Sequence, residues 1–372
     1  MSSAPDSPAS LYIPTSLYVH WPYCARICPY CDFNVHKQRP DSDLLPAILD
    51  DMSHQRALTG PRILGSLHLG GGTPSLMEPA QVAAIINHAA GLWGLDPSAE
   101  IALEANPSLL DAARITAFRD AGINRLSLGV QTFHDSGLAL LGRDHSGEQA
   151  ARVAATALAL IPNTSLDLIF GWHGQTLAMW QHDLNTALAL GPPHISTYQL
   201  TIEPDTAFAR AVSRGQSRAV DSDTSADFYD AARATLSAYE HYEVSNFAKP
   251  GHQSRHNLSY WRGHDYIGVG PGAHGRLTLD GTRHATVTPL HPKTYAETPR
   301  PTLDPLTPDD VLTERILMGL RTTEGIALTE LPAHLDWSHY SDYLVQRDDR
   351  LVATPAGRPL LDSLTTLLIN QI

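Results

Sequence analysis

The chain has few cysteines, no long apolar run and fewer basic than acidic residues. Its 372 residues include three cysteines, all between positions 24 and 31. This odd, clustered set argues against a disulfide framework. No apolar run approaches the roughly 18 residues that a membrane helix needs. The formal net charge of −13 disfavours a nucleic-acid partner. We therefore expect a protein that is neither an integral membrane protein nor a nucleic-acid binder.

The N-terminal segment indicates where the protein resides. Residues 1–15 are rich in serine, proline and alanine, and they lack a basic stretch followed by an apolar one. This composition predicts a disordered tail and not a signal peptide. Together with unpaired thiols, it predicts a cytoplasmic protein.

The three cysteines form the pattern CxxxCxxC, made by Cys24, Cys28 and Cys31. Three thiolates are one short of the four protein ligands that usually close a structural zinc site or an iron–sulfur cluster. The spacing leaves three alternatives open: a zinc site completed by His20 or His36, three inert core cysteines, or an iron–sulfur cluster with one open coordination position. The tight clustering favours the open iron–sulfur cluster.

Short apolar runs alternate with helical patterns through the first 240 residues. Strands are predicted at 17–20, 63–69, 100–103, 125–130, 165–170 and 195–202. Helices are predicted at 43–58, 78–93, 109–121, 148–160, 177–190 and 226–240. This alternation is typical of an α/β fold with a parallel sheet and right-handed crossovers. Six units predict an open, partial (β/α)6 TIM-like barrel over residues 16–241.

The remaining residues, 242–372, predict a smaller α+β region. Residues 308–321 have a helical pattern, and the stretch 351–355 precedes an amphipathic helix that reaches about residue 369. This combination is typical of a winged-helix-like module.

Polar and glycine residues stand out near the carboxyl ends of the predicted strands. They are Gly71, Gly72 and Thr73 after the second strand, Glu104 after the third, Gln131 after the fourth, and Asp167 within the fifth. Barrel enzymes build their sites on this face. Because the cysteine loop follows the first strand, we expect it to open onto the same face.

The cysteine motif together with Gly70-Gly71-Gly72-Thr73-Pro74 resembles the radical SAM superfamily. The resemblance implies that Cys24, Cys28 and Cys31 bind a [4Fe–4S] cluster, and that S-adenosylmethionine occupies the open position through its amino and carboxylate groups. It also implies a protein reductant for the cluster. The residues that it implies in cofactor or substrate contacts are Tyr18, Tyr30, Gly71, Gly72, Thr73, Glu104, Gln131, Arg143 and Asp167.

Three further segments resemble the oxygen-independent coproporphyrinogen oxidase branch: 18–24 (YVHWPYC), 128–131 (LGVQ) and 167–171 (DLIFG). The dehydrogenases of this branch carry CxxxCxxCxC, whereas Phe33 stands at the last position here. In this respect the chain resembles the HemW-type heme chaperones. One departure is Trp172-His173, where relatives commonly have Leu-Pro.

A second motif points to the same chaperones. Residues 256–261 read HNxxYW, a pattern associated with heme binding in the HemW-type proteins, and His256, Asn257, Tyr260 and Trp261 are the candidate heme contacts. An imidazole can ligate iron, and aromatic rings can cover an apolar macrocycle. The alternative is that His256 and Asn257 cap a turn while Tyr260 and Trp261 pack between domains.

The resemblance implies a heme chaperone that binds heme and transfers it to acceptor proteins, including membrane-bound ones. The alternative that it implies is a coproporphyrinogen III dehydrogenase, in which reductive cleavage of S-adenosylmethionine starts the oxidative decarboxylation of propionate groups. Phe33 favours the chaperone. Nothing in the sequence favours a third option, a radical enzyme that acts on heme itself.

Overall fold

A twelve-stranded mixed sheet runs through most of the computed structural model, which describes residues 15–38 and 43–372. The strands of the described residues are β1 (Thr15–Trp21), β2 (Tyr23–Cys24), β3 (His36–Lys37), β4 (Leu64–Gly71), β5 (Leu95–Ala105), β6 (Arg125–Gln131), β7 (Thr164–Phe170), β8 (His194–Gln199), β9 (Glu240–His241), β10 (Asn246–Ala248), β11 (Tyr266–Val269), β12 (His274–Leu279), β13 (Thr282–Val287), β14 (Thr302–Pro305), β15 (Ile326–Ala327), β16 (Leu344–Arg347) and β17 (Arg350–Ala353). The predicted tail lies outside the described residues, except for Thr15, which begins β1.

Helices connect most of these strands. The α-helices of the described residues are α1 (Leu45–Thr59), α2 (Pro79–Trp93), α3 (Ala112–Asp120), α4 (Asp135–Leu140), α5 (Gly147–Leu160), α6 (Leu177–Leu190), α7 (Ala207–Ser213), α8 (Ser222–Thr235), α9 (Arg255–Trp261), α10 (Pro292–Glu297), α11 (Pro308–Gly319) and α12 (Leu361–Ile369).

Six parallel strands form the centre of the sheet, in the order β1-β4-β5-β6-β7-β8. Helices follow each of them along the chain, and their apolar faces pack on strands that are almost continuously buried. This arrangement confirms the predicted partial (β/α)6 barrel. The sheet does not close, because β14 and β9 remain as its two outer strands.

Local signals explain why the helices begin and end where they do. The helix α2 starts with Pro79 after a reciprocal capping box between Glu78 and Gln81, and it ends at Gly94, whose φ of 77° is a glycine-favoured conformation. Proline at the first helical position costs no hydrogen bond, and the box satisfies two otherwise unpaired N–H groups. A capping box followed by proline, and a glycine at the helix end, can be recognised from the sequence alone.

The sheet continues into the C-terminal part of the chain. On one side β10 pairs antiparallel with β8, and on the other side β11 pairs parallel with β1. The strands β12, β13 and β14 extend the second side as an antiparallel meander. Residues beyond 241 therefore complete the same sheet that carries the barrel strands.

A small module follows the meander. It combines α11 and α12 with a three-stranded antiparallel sheet in the order β15-β17-β16. Its own apolar core includes Ile316, Leu351 and Leu364, which are almost fully buried. These elements agree with the predicted α+β C-terminal region. None of the helices in the described part of the chain is long and apolar enough to cross a membrane.

A buried carboxyl group joins the barrel to the later part of the sheet. Asp51 on α1 has no exposed surface, and its Oδ2 accepts hydrogen bonds from the Tyr295 hydroxyl at 2.8 Å and from the Gly270 N–H at 3.5 Å. Its Oδ1 has no partner within the described residues. Burial raises the pKa of Asp51 to about 7, although both hydrogen bonds act in the opposite direction.

We expect Asp51 to make the folded state less stable as the pH rises from about 4 to 7. The folded protein keeps the Asp51 proton to a higher pH than the unfolded chain does, so unfolding releases a proton in this range. Each unit of pKa difference corresponds to about 1.4 kcal/mol. Asp51→Asn should flatten this part of the dependence of the unfolding free energy on pH, as measured by urea unfolding at several pH values.

The matched control is Asp50→Asn, because Asp50 is half exposed and pairs with Arg300 at the surface. This control should follow the wild-type profile. A wild-type profile that Asp51→Asn leaves unchanged would contradict the raised pKa.

Candidate functional site

The three cysteines come together at the carboxyl ends of the barrel strands. Cys24 lies on β2, directly after β1, and Cys28 and Cys31 lie on the loop that returns to β3. All three line one cavity of about 410 Å³, which we call the cysteine cavity. Cys24 is buried, whereas Cys28 and Cys31 are partly exposed to this cavity. The cysteine loop therefore lies on the predicted face of the barrel, at the carboxyl ends of the strands.

Glycines allow the end of β4 to approach the cysteine loop closely. The Gly72 N–H donates to the Trp21 carbonyl at 2.7 Å, and the Thr73 N–H donates to the Tyr23 carbonyl at 2.9 Å. A Cβ atom at Gly72 would lie 2.8 Å from the Tyr23 oxygen and 3.0 Å from Cys24 Sγ. A side chain at position 72 would therefore push the first cysteine out of place.

Gly71 meets a second constraint at the same strand end. Its φ is 108°, and a Cβ atom there would lie 2.7 Å from the imidazole ring of His20. That ring is fixed, because Nδ1 is hydrogen-bonded to the Tyr18 hydroxyl at 2.8 Å and Nε2 to the Asn34 carbonyl at 2.9 Å. With both ring nitrogens engaged, His20 is not placed as a fourth metal ligand.

The arrangement of the thiols suits a cluster better than a single ion. Among residues 15–38 and 43–372, no three His, Cys, Asp or Glu side chains converge closely enough to hold one metal ion. A multi-iron cluster needs less convergence, because each cysteine binds a different iron. The three thiols, the glycine-lined strand end and the surrounding cavity fit a [4Fe–4S] cluster with one position left for a small-molecule ligand.

A buried arginine contacts the cysteine loop. Arg143 donates from Nη1 to Cys28 Sγ at 3.4 Å and from Nη2 to the Gly129 carbonyl at 3.1 Å. Burial alone lowers the pKa of Arg143, but the neighbouring Tyr30 and Cys28 raise it above its ordinary value. The guanidinium is therefore a permanent positive charge next to the cysteines. Burial also raises the pKa of Tyr30, so its phenol is neutral at physiological pH.

Two carboxyl groups line the cysteine cavity and have different hydrogen-bond partners. Glu104 accepts hydrogen bonds from the Gly71 N–H at 3.1 Å, and its other oxygen lies 3.0 Å from His68 Nε2. Asp167 is held by Ser127 at 2.5 Å and Ser165 at 3.0 Å. Burial raises the pKa of Asp167, against the effect of these serine hydrogen bonds.

Gln131 ends β6 in a strained conformation. Its φ of 67° is rare for a residue with a side chain. The shift in register between β6 and β7 lies between Gly129 and Gln131. This kink brings the Gln131 side chain to the same cavity as the cysteines.

The structure brings together most of the predicted cofactor residues. Those that line the cysteine cavity are Cys24, Cys28, Cys31, Tyr30, Gly71, Gly72, Thr73, Glu104, Gln131, Arg143 and Asp167. Tyr18 is the exception. It lines a second, smaller cavity inside the barrel, of about 180 Å³, which we call the inner cavity. The two cavities share Glu104, Ser127 and Tyr198 in their linings.

Three of the predicted heme residues, His256, Asn257 and Tyr260, also line the inner cavity. The His256 ring is buried and stacks on His68, with ring centroids 4.6 Å apart, and on Tyr18 at 5.7 Å. Asn257 lies beside it. Ligand pockets usually have volumes of about 300–1,000 Å³, so this space does not admit a macrocycle. Heme contact by His256 and Asn257 stays a prediction.

The helix that carries this motif is anchored at the amino ends of the barrel strands, opposite the cysteines. Glu100 on β5 accepts hydrogen bonds from the backbone N–H groups of Arg255 and His256, at 3.1 and 3.3 Å. It also forms a buried ion pair with Arg125 at 3.3 Å. A carboxylate at a helix N-terminus is a favourable arrangement, so α9 is fixed to this end of the barrel.

The remaining heme candidate, Trp261, is the last residue of α9 and follows Tyr260 directly. Tyr260 and Trp261 pack edge to face, with ring centroids 4.6 Å apart. The Arg321 guanidinium lies 4.7 Å from the Trp261 ring centroid, a cation–π contact with the C-terminal module. Trp261 thus packs between the barrel and that module.

Three contributors to the site were not among the predicted residues. Ser127 binds Asp167, Tyr198 lines both cavities, and Trp172 packs beneath the cysteine cavity. The sequence could have indicated Ser127, because it precedes Gly129 and Gln131 by two and four residues on β6 and so lies on the same face of the strand. Trp172 is 2% exposed and leaves its indole N–H without a partner in the described structure. Trp172 belongs to the same apolar cluster as Ile169 and Leu200, which line the cysteine cavity.

Comparison with known proteins agrees with this geometry. Residues 18–187 match the model of the radical SAM superfamily. The heme chaperone HemW of Escherichia coli (strain K12) is 37% identical over 379 residues, which cover 96% of this chain and 99% of that protein. The mitochondrial radical S-adenosyl methionine domain-containing protein 1 of Bos taurus is 37% identical over 364 residues, which cover 93% of this chain and 80% of that protein.

A solved structure shares the fold over nearly the whole chain. Coproporphyrinogen III oxidase (HemN) from Escherichia coli superposes with a TM-score of 0.79 at 22% identity, covering 97% of this chain and 91% of that one. The chain belongs to the radical SAM superfamily and, within it, to the family of the HemW heme chaperones. Membership of the superfamily implies a [4Fe–4S] cluster and S-adenosylmethionine, which the cysteine cavity fits.

We expect Gly72→Ala to reduce the iron content of the reconstituted protein, because the added methyl group would displace Cys24 and the Tyr23 carbonyl. The measurement is iron per protein and the visible absorption of the cluster after anaerobic reconstitution.

Gly91→Ala is the matched control, since a Cβ atom at Gly91, within α2, would meet no heavy atom within 4 Å. This variant should bind iron fully and gain about 0.5–1 kcal/mol of stability. Full iron content in Gly72→Ala would show that the close approach is not needed.

Proposed function

We propose that this protein is a heme chaperone, which binds heme and passes it to acceptor proteins while holding a [4Fe–4S] cluster and S-adenosylmethionine. The observation that carries the proposal is the 37% identity to the heme chaperone HemW of Escherichia coli over 96% of this chain. The similarity extends through the C-terminal region, beyond the segment that matches the superfamily model, which ends at residue 187.

Phe33 supports the chaperone over a dehydrogenase. This position holds a cysteine in the coproporphyrinogen dehydrogenases that the motif resembles, whereas here it holds a phenyl ring without a thiol. Phe33 lines the cysteine cavity and is 62% exposed, more than any other large apolar side chain in the described residues. Exposed apolar groups at a cavity often mark a binding surface.

The cofactor residues have roles that their positions support. Cys24, Cys28 and Cys31 would hold the cluster, and the backbone of Gly71 and Gly72 would face the methionyl part of S-adenosylmethionine. Bound at such a cluster, S-adenosylmethionine would supply one-electron radical chemistry, as the acceptor of an electron from the cluster. The acidic Glu104 and Asp167 would receive the ammonium or the ribose hydroxyls, and the buried Arg143 charge would balance the thiolates. The electron would come from a reductant protein.

The proposal predicts heme uptake without porphyrinogen decarboxylation. Anaerobically reconstituted protein should change its Soret absorption stoichiometrically on titration with hemin. Incubated with coproporphyrinogen III, S-adenosylmethionine and a chemical reductant, it should yield no protoporphyrinogen IX by chromatography. Absence of heme uptake would contradict the proposed chaperone function. Formation of protoporphyrinogen IX would establish a dehydrogenase instead.

The cluster assignment has its own test in Cys28→Ser. An alcohol is a poor replacement for a soft thiolate, so this variant should lose the cluster absorption and most of its iron. Ser108→Ala is the control, since the Ser108 hydroxyl is buried and has no partner in the described structure. Unchanged iron and spectrum in Cys28→Ser would refute the assignment of this cysteine.

A further inference from the structure

A cavity larger than the cysteine cavity lies away from the cysteines. It has a volume of about 990 Å³ and lies between the end of α9, the β12–β13 hairpin, α11 and the segment 330–332, open to solvent on one side. We call it the arginine cavity, after the four arginines in its lining, Arg262, Arg276, Arg283 and Arg315. It shares no lining residue with the cysteine cavity, and it shares Tyr260 with the inner cavity.

The charge of this lining differs from that of the whole chain. Four arginines face it together with two glutamates, Glu314 and Glu330, although the chain as a whole has a formal charge of −13. Two other acidic groups, Asp265 and Glu324, pair with arginines of the cavity from outside its lining. The four arginines are thus matched by four carboxylates, so the charges around the cavity balance and lack the acidic excess of the whole chain, which would repel an anionic ligand.

Arg283 has the most unused hydrogen-bonding capacity of the four. Arg276 is doubly bound to Glu314, at 2.8 and 2.6 Å, and Arg315 is doubly bound to Glu330. The Arg283 side chain makes one hydrogen bond in the described structure, of 3.4 Å to Asp265, and its Nε lies 4.0 Å from Glu314. A guanidinium has five N–H donors, so Arg283 can still bind a carboxylate in the two-point manner that arginine favours.

Apolar side chains also line the arginine cavity, beside the charged Glu314 and Arg315 of helix α11. Helix α11 contributes Val311, Leu312 and Met318, and Leu331 adds to them. Aromatic rings line the cavity as well, since Tyr260 and Tyr266 are both in its lining, with ring centroids 6.4 Å apart. A volume of this size, with apolar side chains, aromatic faces and a few convergent charged groups, is typical of a site for a sizeable amphipathic ligand.

We propose that the arginine cavity binds the heme cargo, with Arg283 on its carboxylate groups and the apolar side chains of α11 against the macrocycle. This inference rests on the proposed function, because the cavity by itself indicates an amphipathic dicarboxylate and the chaperone activity identifies it as heme. It also gives one predicted heme residue, Tyr260, a place at the site, since Tyr260 alone of the four candidates lines this cavity. The cargo would then lie apart from the cluster.

The experiment is a titration of the reconstituted full chain with hemin and with hemin dimethyl ester, followed by difference absorption. Wild type should bind hemin about tenfold more tightly than the ester, because a charge-assisted hydrogen bond is lost with the carboxylate. Arg283→Gln should weaken hemin binding about tenfold and leave ester binding unchanged. Arg233→Gln is the matched control, because Arg233 lies on α8, outside the cavity, and also makes a single bond to a carboxylate.

A second variant tests the cavity independently of charge. Val311→Trp should fill the space beside α11 and weaken binding of both hemin and the ester. Thermal unfolding of every variant confirms that it is folded. Tight hemin binding by wild type, unchanged in both Arg283→Gln and Val311→Trp, would overturn this site and leave the proposed function standing.

Two other outcomes also decide the matter. Weakened binding confined to His256→Ala would overturn the arginine cavity and assign heme to the inner part of α9. No hemin binding by wild type would overturn the proposed function, and this inference with it.

Discussion

The close approach between the end of β4 and the cysteine loop is the contact on which the site depends. Backbone hydrogen bonds from Gly72 and Thr73 to Trp21 and Tyr23 hold the start of the cysteine loop against the carboxyl end of β4. Only a residue without a side chain fits this approach, because a Cβ atom at Gly72 would contact both the Tyr23 carbonyl and Cys24 Sγ. The thiols are thus positioned by a rigid strand and not by the loop alone, which suits a site that needs a defined geometry.

The two ends of the barrel strands have different tasks. At the carboxyl ends the cysteine cavity gathers thiols, glycines and carboxyl groups. At the amino ends, the Glu100–Arg125 pair fixes α9 and thereby the HNxxYW motif. The inner cavity lies between them, sharing Glu104, Ser127 and Tyr198 with one end and Tyr260 with the arginine cavity. The barrel interior therefore separates cofactor residues from the residues proposed to handle the cargo.

The separation of the cofactor residues from the proposed cargo residues affects how Phe33 is interpreted. In an enzyme that oxidises a porphyrinogen, the substrate has to reach the cofactor, and the residues around the cluster have to serve that encounter. Here the second position after the third cysteine holds an exposed phenyl ring, and a cavity larger than the cysteine cavity lies elsewhere. A chaperone requires no contact between cargo and cofactor, so both features agree with the proposed function. The fold alone does not discriminate, since it is shared with HemN over nearly the whole chain.

The sequence predicted those features that depend on local patterns. Strand and helix periodicity predicted the six barrel units. Because barrel sites form at the carboxyl ends of the strands, the sequence also predicted that Gly71, Glu104, Gln131 and the cysteines share one face. The position of His256 was not predictable, because it depends on Glu100, more than 150 residues earlier in the chain. The arginine cavity was hidden for the same reason. Its arginines pair with acidic side chains and resemble ordinary surface ion pairs. Only the folded structure shows that Arg283 shares a cavity with apolar side chains of α11 and makes one hydrogen bond there.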